Sequence, residues 1–122
     1  MIVGIGIDIV VIARFAGMME RRPSMVERLF TERESRLPSG DLRGPASLAA
    51  RFAAKEAIAK ALGAPAGMAW HDCEILVDDS GRPRVEMQGT VASVAERLGI
   101  KRWHLSLTHD GDNAVAQAIG ES

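Results

Sequence analysis

Three residues in two segments have the types and spacing for charge-driven chemistry. Asp8 sits inside the run IVGIGIDIVVI, Ile2 to Ile12, and Glu56 and Lys60 lie four apart in SLAARFAAKEAIAKAL, Ser47 to Leu62. On a helix that spacing stacks Glu56 and Lys60 on one face, a turn apart. Two carboxylates from separate elements can hold a hard cation such as magnesium, which fills its other positions with water and phosphate oxygens. A lysine beside them can neutralise charge on a transferring phosphoryl group. The plainer alternative is a surface Glu–Lys pair, with Asp8 capping the helix that follows. Against it stands the apolar run around Asp8, where a carboxylate needs a partner or a cation.

Two further groups bear on anion binding. Arg51 and Lys55 are also four apart, with Arg51 about 140° around the helix from Glu56; they can bind phosphate or extend their stems over the surface. In HLSLTH, His104, Ser106 and Thr108 share one strand face and His109 opens a turn, so hydroxyls, an imidazole and turn amides are available to phosphate oxygens. For His71 and His104 a hydrogen-bonded structural role is expected. Cys73 is remote and no tight ligand cluster exists, so zinc is not expected. GxxxxGK[ST], GxSxG and HExxH are all absent, and GIGID has one glycine too few for a dinucleotide fingerprint.

The elements that must position these residues follow from periodicity and turn signals. Ile2–Ile12 reads as a buried strand whose one set is Val3, Ile5, Ile7, Ile9 and Val11, and whose other set places Asp8 with Gly4 and Gly6. Arg14 to about Arg22 reads as a helix ending near Pro23, followed by a short helix from Ser24 to Leu29 and a loop over 38–46. The central helix runs from Ser47, a candidate cap, to Leu62, with Gly63 as its stop. Leu48, Phe52, Ala59 and Leu62 form its stripe, and its alanines allow close packing elsewhere. His71–Val77 and Arg84–Gln88 form a hairpin across DDSGRP, Thr90 caps a helix over Val91–Leu98, and RWHLSLTH and AVAQAI are the last two strands. The order argues for one α+β domain over residues 1–122, a largely antiparallel sheet around one long Ala-rich helix.

Composition narrows the partners. With 47% hydrophobic residues in 122, the chain has a globular composition and the length of one domain. A net charge of -1 provides no global field for nucleic acid or an anionic membrane. The balance is uneven, however. Residues 1–60 hold ten Arg and Lys against seven Asp and Glu, while 61–122 hold five against nine. All eight arginines of the first half fall between Arg14 and Arg51, which suits an acidic partner or a set of solvated helix faces. The lone Cys73 favours a reducing compartment. The apolar start lacks a basic region before it and carries Asp8, so no signal peptide or membrane span is expected and the expected address is the cytoplasm.

Together GIGIDIV, RFAAKEAIAKALG, WHDCEI with GRPRV, and WHLSLTHDGDNAVA resemble, in order and spacing, the holo-acyl-carrier-protein synthases, the short single-domain group of phosphopantetheinyl transferases. The resemblance covers nearly the whole chain; the linker Arg33–Pro45 matches poorly, and Cys73 stands where a larger aliphatic residue is commoner. It implies transfer of the phosphopantetheine arm of coenzyme A to a serine of apo acyl carrier protein, releasing adenosine 3′,5′-bisphosphate, in support of fatty acid biosynthesis. Asp8 and Glu56 match the family's magnesium ligands, and Lys60 its lysine beside the reacting phosphate. The base that takes the serine proton stays open among a metal-bound water, Glu56 and Asp8. Arg51, Lys60, Gly63, Pro83, Ser106, Thr108 and His109 match positions around the coenzyme, with Arg51 and His109 toward the 3′-phosphate. Arg14, Met18, Arg21, Arg22 and Arg28 match the surface that docks the acidic carrier. A homotrimer with active sites at subunit interfaces is implied as well. Two other readings remain: a non-catalytic trimer that binds coenzyme A or another nucleotide, and a metal-dependent phosphohydrolase acting on a small pyrophosphate.

Overall fold

The computed structural model describes residues 1–122, beginning with strand β1 (Ile2–Val11) and the helices α1 (Ile12–Arg21), α2 (Ser24–Leu29) and α3 (Glu32–Ser35). The long helix α4 (Pro45–Ala61) precedes a 3-10 turn at Trp70–Asp72 and the hairpin β2 (Cys73–Val77) and β3 (Pro83–Met87). Helix α5 (Gly89–Arg97) leads to β4 (Arg102–Asp110) and β5 (Asn113–Glu121). The α+β class and the antiparallel pairing agree with the sequence reading. The strands divide into two sheets, β1-β5-β4 and β2-β3.

Helix α4 lies directly on the three-stranded sheet because the facing residues are small. Gly4 and Gly6 of β1 turn toward it, and a Cβ on either would strike the carbonyl oxygen of Ala61 or Ala57 respectively. From β5 the helix meets Ala114, Ala116 and Ala118, all buried. The expected single stripe on α4 is therefore too narrow: Ala49, Ala53, Ala54, Ala57 and Ala61 are buried along with Leu48, Ile58 and Leu62. Methyl-sized side chains let the helix be enclosed nearly all round.

Local expectations are corrected at three ends. Helix α4 starts at Pro45 with Gly44 as N-cap, since proline suits the first helical position; the Ser47 hydroxyl instead accepts a hydrogen bond from Arg51 Nη1 at 2.7 Å. Thr90 is not the cap of α5. That helix begins at Gly89 after Gln88, and the Asp72 carboxylate accepts hydrogen bonds from the Thr90 N–H and hydroxyl at 2.8 and 2.7 Å. Strand β2 starts at Cys73 because Trp70–Asp72 turn first.

The larger departure is on β1. Its isoleucine set was expected to be buried, yet Ile5, Ile7 and Ile9 are 60%, 56% and 63% exposed. The strand register continues this face across the sheet, as the rows Ile5–Ile119–His104, Ile7–Gln117–Ser106 and Ile9–Val115–Thr108. No helix of the protein is long and apolar enough to cross a membrane.

The backbone contact between α4 and β1 yields a paired test. Gly6→Ala is expected to lower the unfolding free energy by about 2–3 kcal/mol, because backbone cannot yield as a side chain does. Gly17→Ala, on α1, meets only the flexible end of Arg21 and should raise it by about 0.5–1 kcal/mol. Urea denaturation followed by circular dichroism measures both.

Candidate active site

The third inward position of β1 after Gly4 and Gly6 is Asp8, which comes to the flank of α4. Lys60 Nζ donates to Asp8 Oδ1 at 3.0 Å and to the Ile7 carbonyl at 2.9 Å. Asp8 and Glu56 line one cavity of about 330 Å³. Burial, with the like charge of Asp8 second and against the opposing pull of Lys60, holds the Glu56 carboxyl above the usual glutamate range. None of the protein's ion pairs includes Glu56.

A pair of converging carboxylates, one without a cationic partner, is a donor set that suits a hard divalent cation. Nowhere do three or more His, Cys, Asp or Glu gather as a complete ligand set. The protein thus offers two carboxylates, leaving other positions for water or a phosphate-bearing substrate.

The same cavity is walled by Arg14, Phe15, Met18 and Arg21 of α1 and by Phe52 of α4. So the structure brings three of the expected docking residues, Arg14, Met18 and Arg21, to the carboxylates. Arg22 and Arg28 lie outside the cavity, on the exposed surface. Phe52 was read only as packing. Its ring stands 5.6 Å from Phe15 and 5.5 Å from Trp70 between centroids, so it closes the floor beside Glu56.

A separate cavity of about 520 Å³ gathers Arg51, Pro83, Thr108 and His109. Arg51 is buried and its Nε has no hydrogen-bond partner. Burial first, then neighbouring Arg43, lowers the guanidinium to about 10. Arg51 Nη1 reaches back to the Ser47 hydroxyl, and the N-terminal turn of α4, from Gly44 to Ser47, lines the same cavity, where free backbone amides add to an anion-binding potential. Sequence reasoning placed the start of the helix two residues late and so missed that turn; Pro45 after Gly44 was the available signal.

The remaining expected contacts do not reach this cavity. Ser106 lies on the exposed outer face of the sheet, opposite Gln117. Gly63 ends α4 at the far end, with φ +85, where its N–H bonds to Lys60 O and that of Ala64 to Ala59 O. Lys60 belongs with Asp8. His71 and His104 do have structural partners, the Glu27 carbonyl at 2.6 Å and Glu121 Oε1 at 3.1 Å.

Glu56 also borders a third cavity, about 270 Å³, between α4 and the loop through Ala64, Met68 and Trp70. Its walls are mostly apolar. Cys73 is among them, but burial pushes its thiol up to about 12, so it stays neutral and is no nucleophile.

Comparison with known proteins places these features in a family. Residues 4–118 match the 4′-phosphopantetheinyl transferase superfamily. A holo-[acyl-carrier-protein] synthase from Salinispora arenicola is 57% identical over 121 residues, 99% of each chain. The crystal structure of the holo-[acyl-carrier-protein] synthase from Neisseria meningitidis superposes with a TM-score of 0.88 at 30% identity over 100% of both chains. A Bacillus anthracis holo-(acyl-carrier-protein) synthase in complex with CoA (3′,5′-ADP) gives 0.80 at 37% identity, covering 100% of this chain and 98% of that one.

The raised Glu56 carboxyl has a consequence for stability. A carboxyl whose folded pKa exceeds its unfolded value opposes folding when ionised, and that cost fades as pH falls to the unfolded value. Glu56→Gln is therefore expected to raise the melting temperature of the metal-free protein at pH 7. The advantage should shrink as pH is lowered toward 4.5, the ordinary value. Calorimetry across that range reads the difference; a lower melting temperature at pH 7 would contradict the like-charge penalty.

Proposed function

The chain belongs to the 4′-phosphopantetheinyl transferase superfamily, and from that premise we propose that it moves the 4′-phosphopantetheine moiety of coenzyme A to a serine of apo acyl carrier protein. The observation that supports this reading is the meeting of Asp8 and Glu56 in a cavity that Arg14, Met18 and Arg21 also wall, with Lys60 paired to Asp8 beside it. Reacting charge and a basic docking rim thus share one opening. Residues 1–122 act as a single domain, in the cytoplasm and in support of fatty acid biosynthesis.

The serine oxygen attacks the phosphorus that bears the pantetheine as its proton passes to a base at the site, for which Glu56, Asp8 and a water are the candidates. The bond to the bridging oxygen breaks, and adenosine 3′,5′-bisphosphate leaves with its electron pair. Asp8 and Glu56 would hold magnesium, which would supply charge neutralisation and alignment at the pyrophosphate. Lys60, half-exposed beside Asp8, faces the same phosphates and offsets charge on the leaving oxygen. Arg51 and His109 hold the ribose 3′-phosphate, with Pro83 and Thr108 beside the nucleotide. The apolar cavity beyond Glu56 suits the neutral pantetheine arm. Arg14, Met18 and Arg21 receive the acidic carrier, and rim charges of this kind chiefly speed encounter.

A homotrimer accounts for the bare isoleucines of β1. Exposed apolar patches this concentrated mark interaction sites, and the resemblance to the synthases supports three copies with active sites between them. Ser106 would then join a site from the outer face, which it shares with those isoleucines.

Mixing the purified protein with coenzyme A, magnesium and apo carrier should increase the carrier's mass by one phosphopantetheine. No gain with several carriers would overturn the reading. Asp8→Ala should stay folded and lose transfer by about a hundredfold or more, and chelation should do the same to the native protein. Ile7→Asp is expected to shift sedimentation to the monomer and abolish transfer together; an active monomer would remove the interface from the reaction.

A further inference from the structure

We propose that Lys55, with Glu34, is a positioning residue that sets the rotation of α4 and so aims Glu56 at Asp8. The inference rests on the transferase reading above, in which Glu56 acts at the reacting phosphate.

Lys55 and Glu34 are charged and only 2% and 1% exposed. All three ammonium hydrogens and both carboxylate oxygens are used. Lys55 Nζ donates to Glu34 Oε1 at 2.8 Å, to the Trp70 carbonyl at 2.8 Å and to the Cys73 carbonyl at 2.7 Å. Glu34 Oε1 accepts from the Thr31 N–H, and its Oε2 from the Ile75 N–H, both at 2.9 Å. The Phe30 ring adds a face 5.5 Å from the ammonium. A single side chain of α4 is thereby tied to the turn at Thr31, the 3-10 turn and β2.

Such a tie has a purpose here because the neighbouring surface is smooth. Around Glu56, apart from Lys55, the buried residues are Ala53, Ala54, Ala57 and Ile58, and methyl groups do little to fix rotation about a helix axis, which leaves Ile58 as the one large apolar anchor there. Buried polar pairs seldom add net stability over apolar ones, but can select one arrangement. A rotation of about 20° would move a carboxylate at the end of a side chain by roughly 2 Å, and misplacement by about 1 Å can cost a hundredfold in rate.

The test separates stability from geometry. Glu34→Leu with Lys55→Met fills the same space without charge, and Glu34→Gln keeps the shape while weakening the anchor. For the folded variants we expect kcat to fall about tenfold, KM for coenzyme A to stay within twofold, and manganese affinity, read by water proton relaxation, to fall at least fivefold. Amide exchange in α4 around Glu56 should quicken although circular dichroism is unchanged. Wild-type kcat and manganese affinity in a folded variant would overturn the proposal. So would loss of the fold in both variants, which would make the pair a folding element only. The wild-type protein, assayed alongside, separates this from failure of the transferase reading, since then it too would be inactive.

Discussion

The close approach of α4 to β1 is the constraint from which the site descends. Gly4 meets the Ala61 carbonyl and Gly6 the Ala57 carbonyl, so strand and helix run in opposite directions with matched steps. Two strand residues span about 6.6 Å and four helical residues about 6 Å. The next step along the row sets Asp8 beside the turn that begins near Ala53 and carries Glu56. A side chain at position 4 or 6 would lift the helix and separate the carboxylates. The glycines are therefore part of the chemistry although neither touches a substrate.

That proximity has an electrostatic cost, and the protein meets it unevenly. Asp8 is compensated by Lys60 at 3.0 Å, whereas Glu56 has burial and Asp8 acting against its ionised form. At the other anion site the sign is reversed: Arg51 is buried with an unpaired Nε and a second arginine nearby. A carboxylate without an ion-pair partner on one flank of α4 and a guanidinium with an unpaired Nε on another are poor for the isolated fold. It is the arrangement expected of sites completed by a cation and by an anion.

How far the sequence disclosed this depends on whether each signal was local. The strands, the central helix and its glycine stop rest on neighbouring residues and were legible. The spacing of Glu56 and Lys60 and a carboxylate in an apolar run left a surface Glu–Lys pair with a capping Asp8 open, and it was the resemblance to the synthases that joined the three as one expected site. Non-local partners were not legible: Asp72, eighteen residues from Thr90, supplies what Thr90 was expected to give α5. The isoleucines of β1 were misread as buried for a similar reason. An alternating apolar set has the same pattern whether its own chain or another covers it. Glu34, in a stretch with no recognisable motif, gave no sign that it would pair with Lys55 across 21 residues.

The separation of the two charged cavities bears on assembly. Arg51 is about 7.5 Å along the helix axis and 140° around from Glu56, and the intervening alanines are buried. A nucleotide at Arg51 and His109, as proposed, would lie across an enclosed helix from the carboxylates of the same chain. The sheet offers another route. Its order β1-β5-β4 puts Asp8 on one edge strand and Thr108 and His109 on the other. Copies meeting head to tail, each β4 edge against the next copy's β1 edge, would bring the Arg51 cavity of one toward the carboxylates of the next across every interface. Head-to-tail contacts close into a ring when the rotation permits. Such a contact would answer the divided site, whereas the bare isoleucine face would be covered only if the sheets of the proposed trimer also turn those faces toward one another.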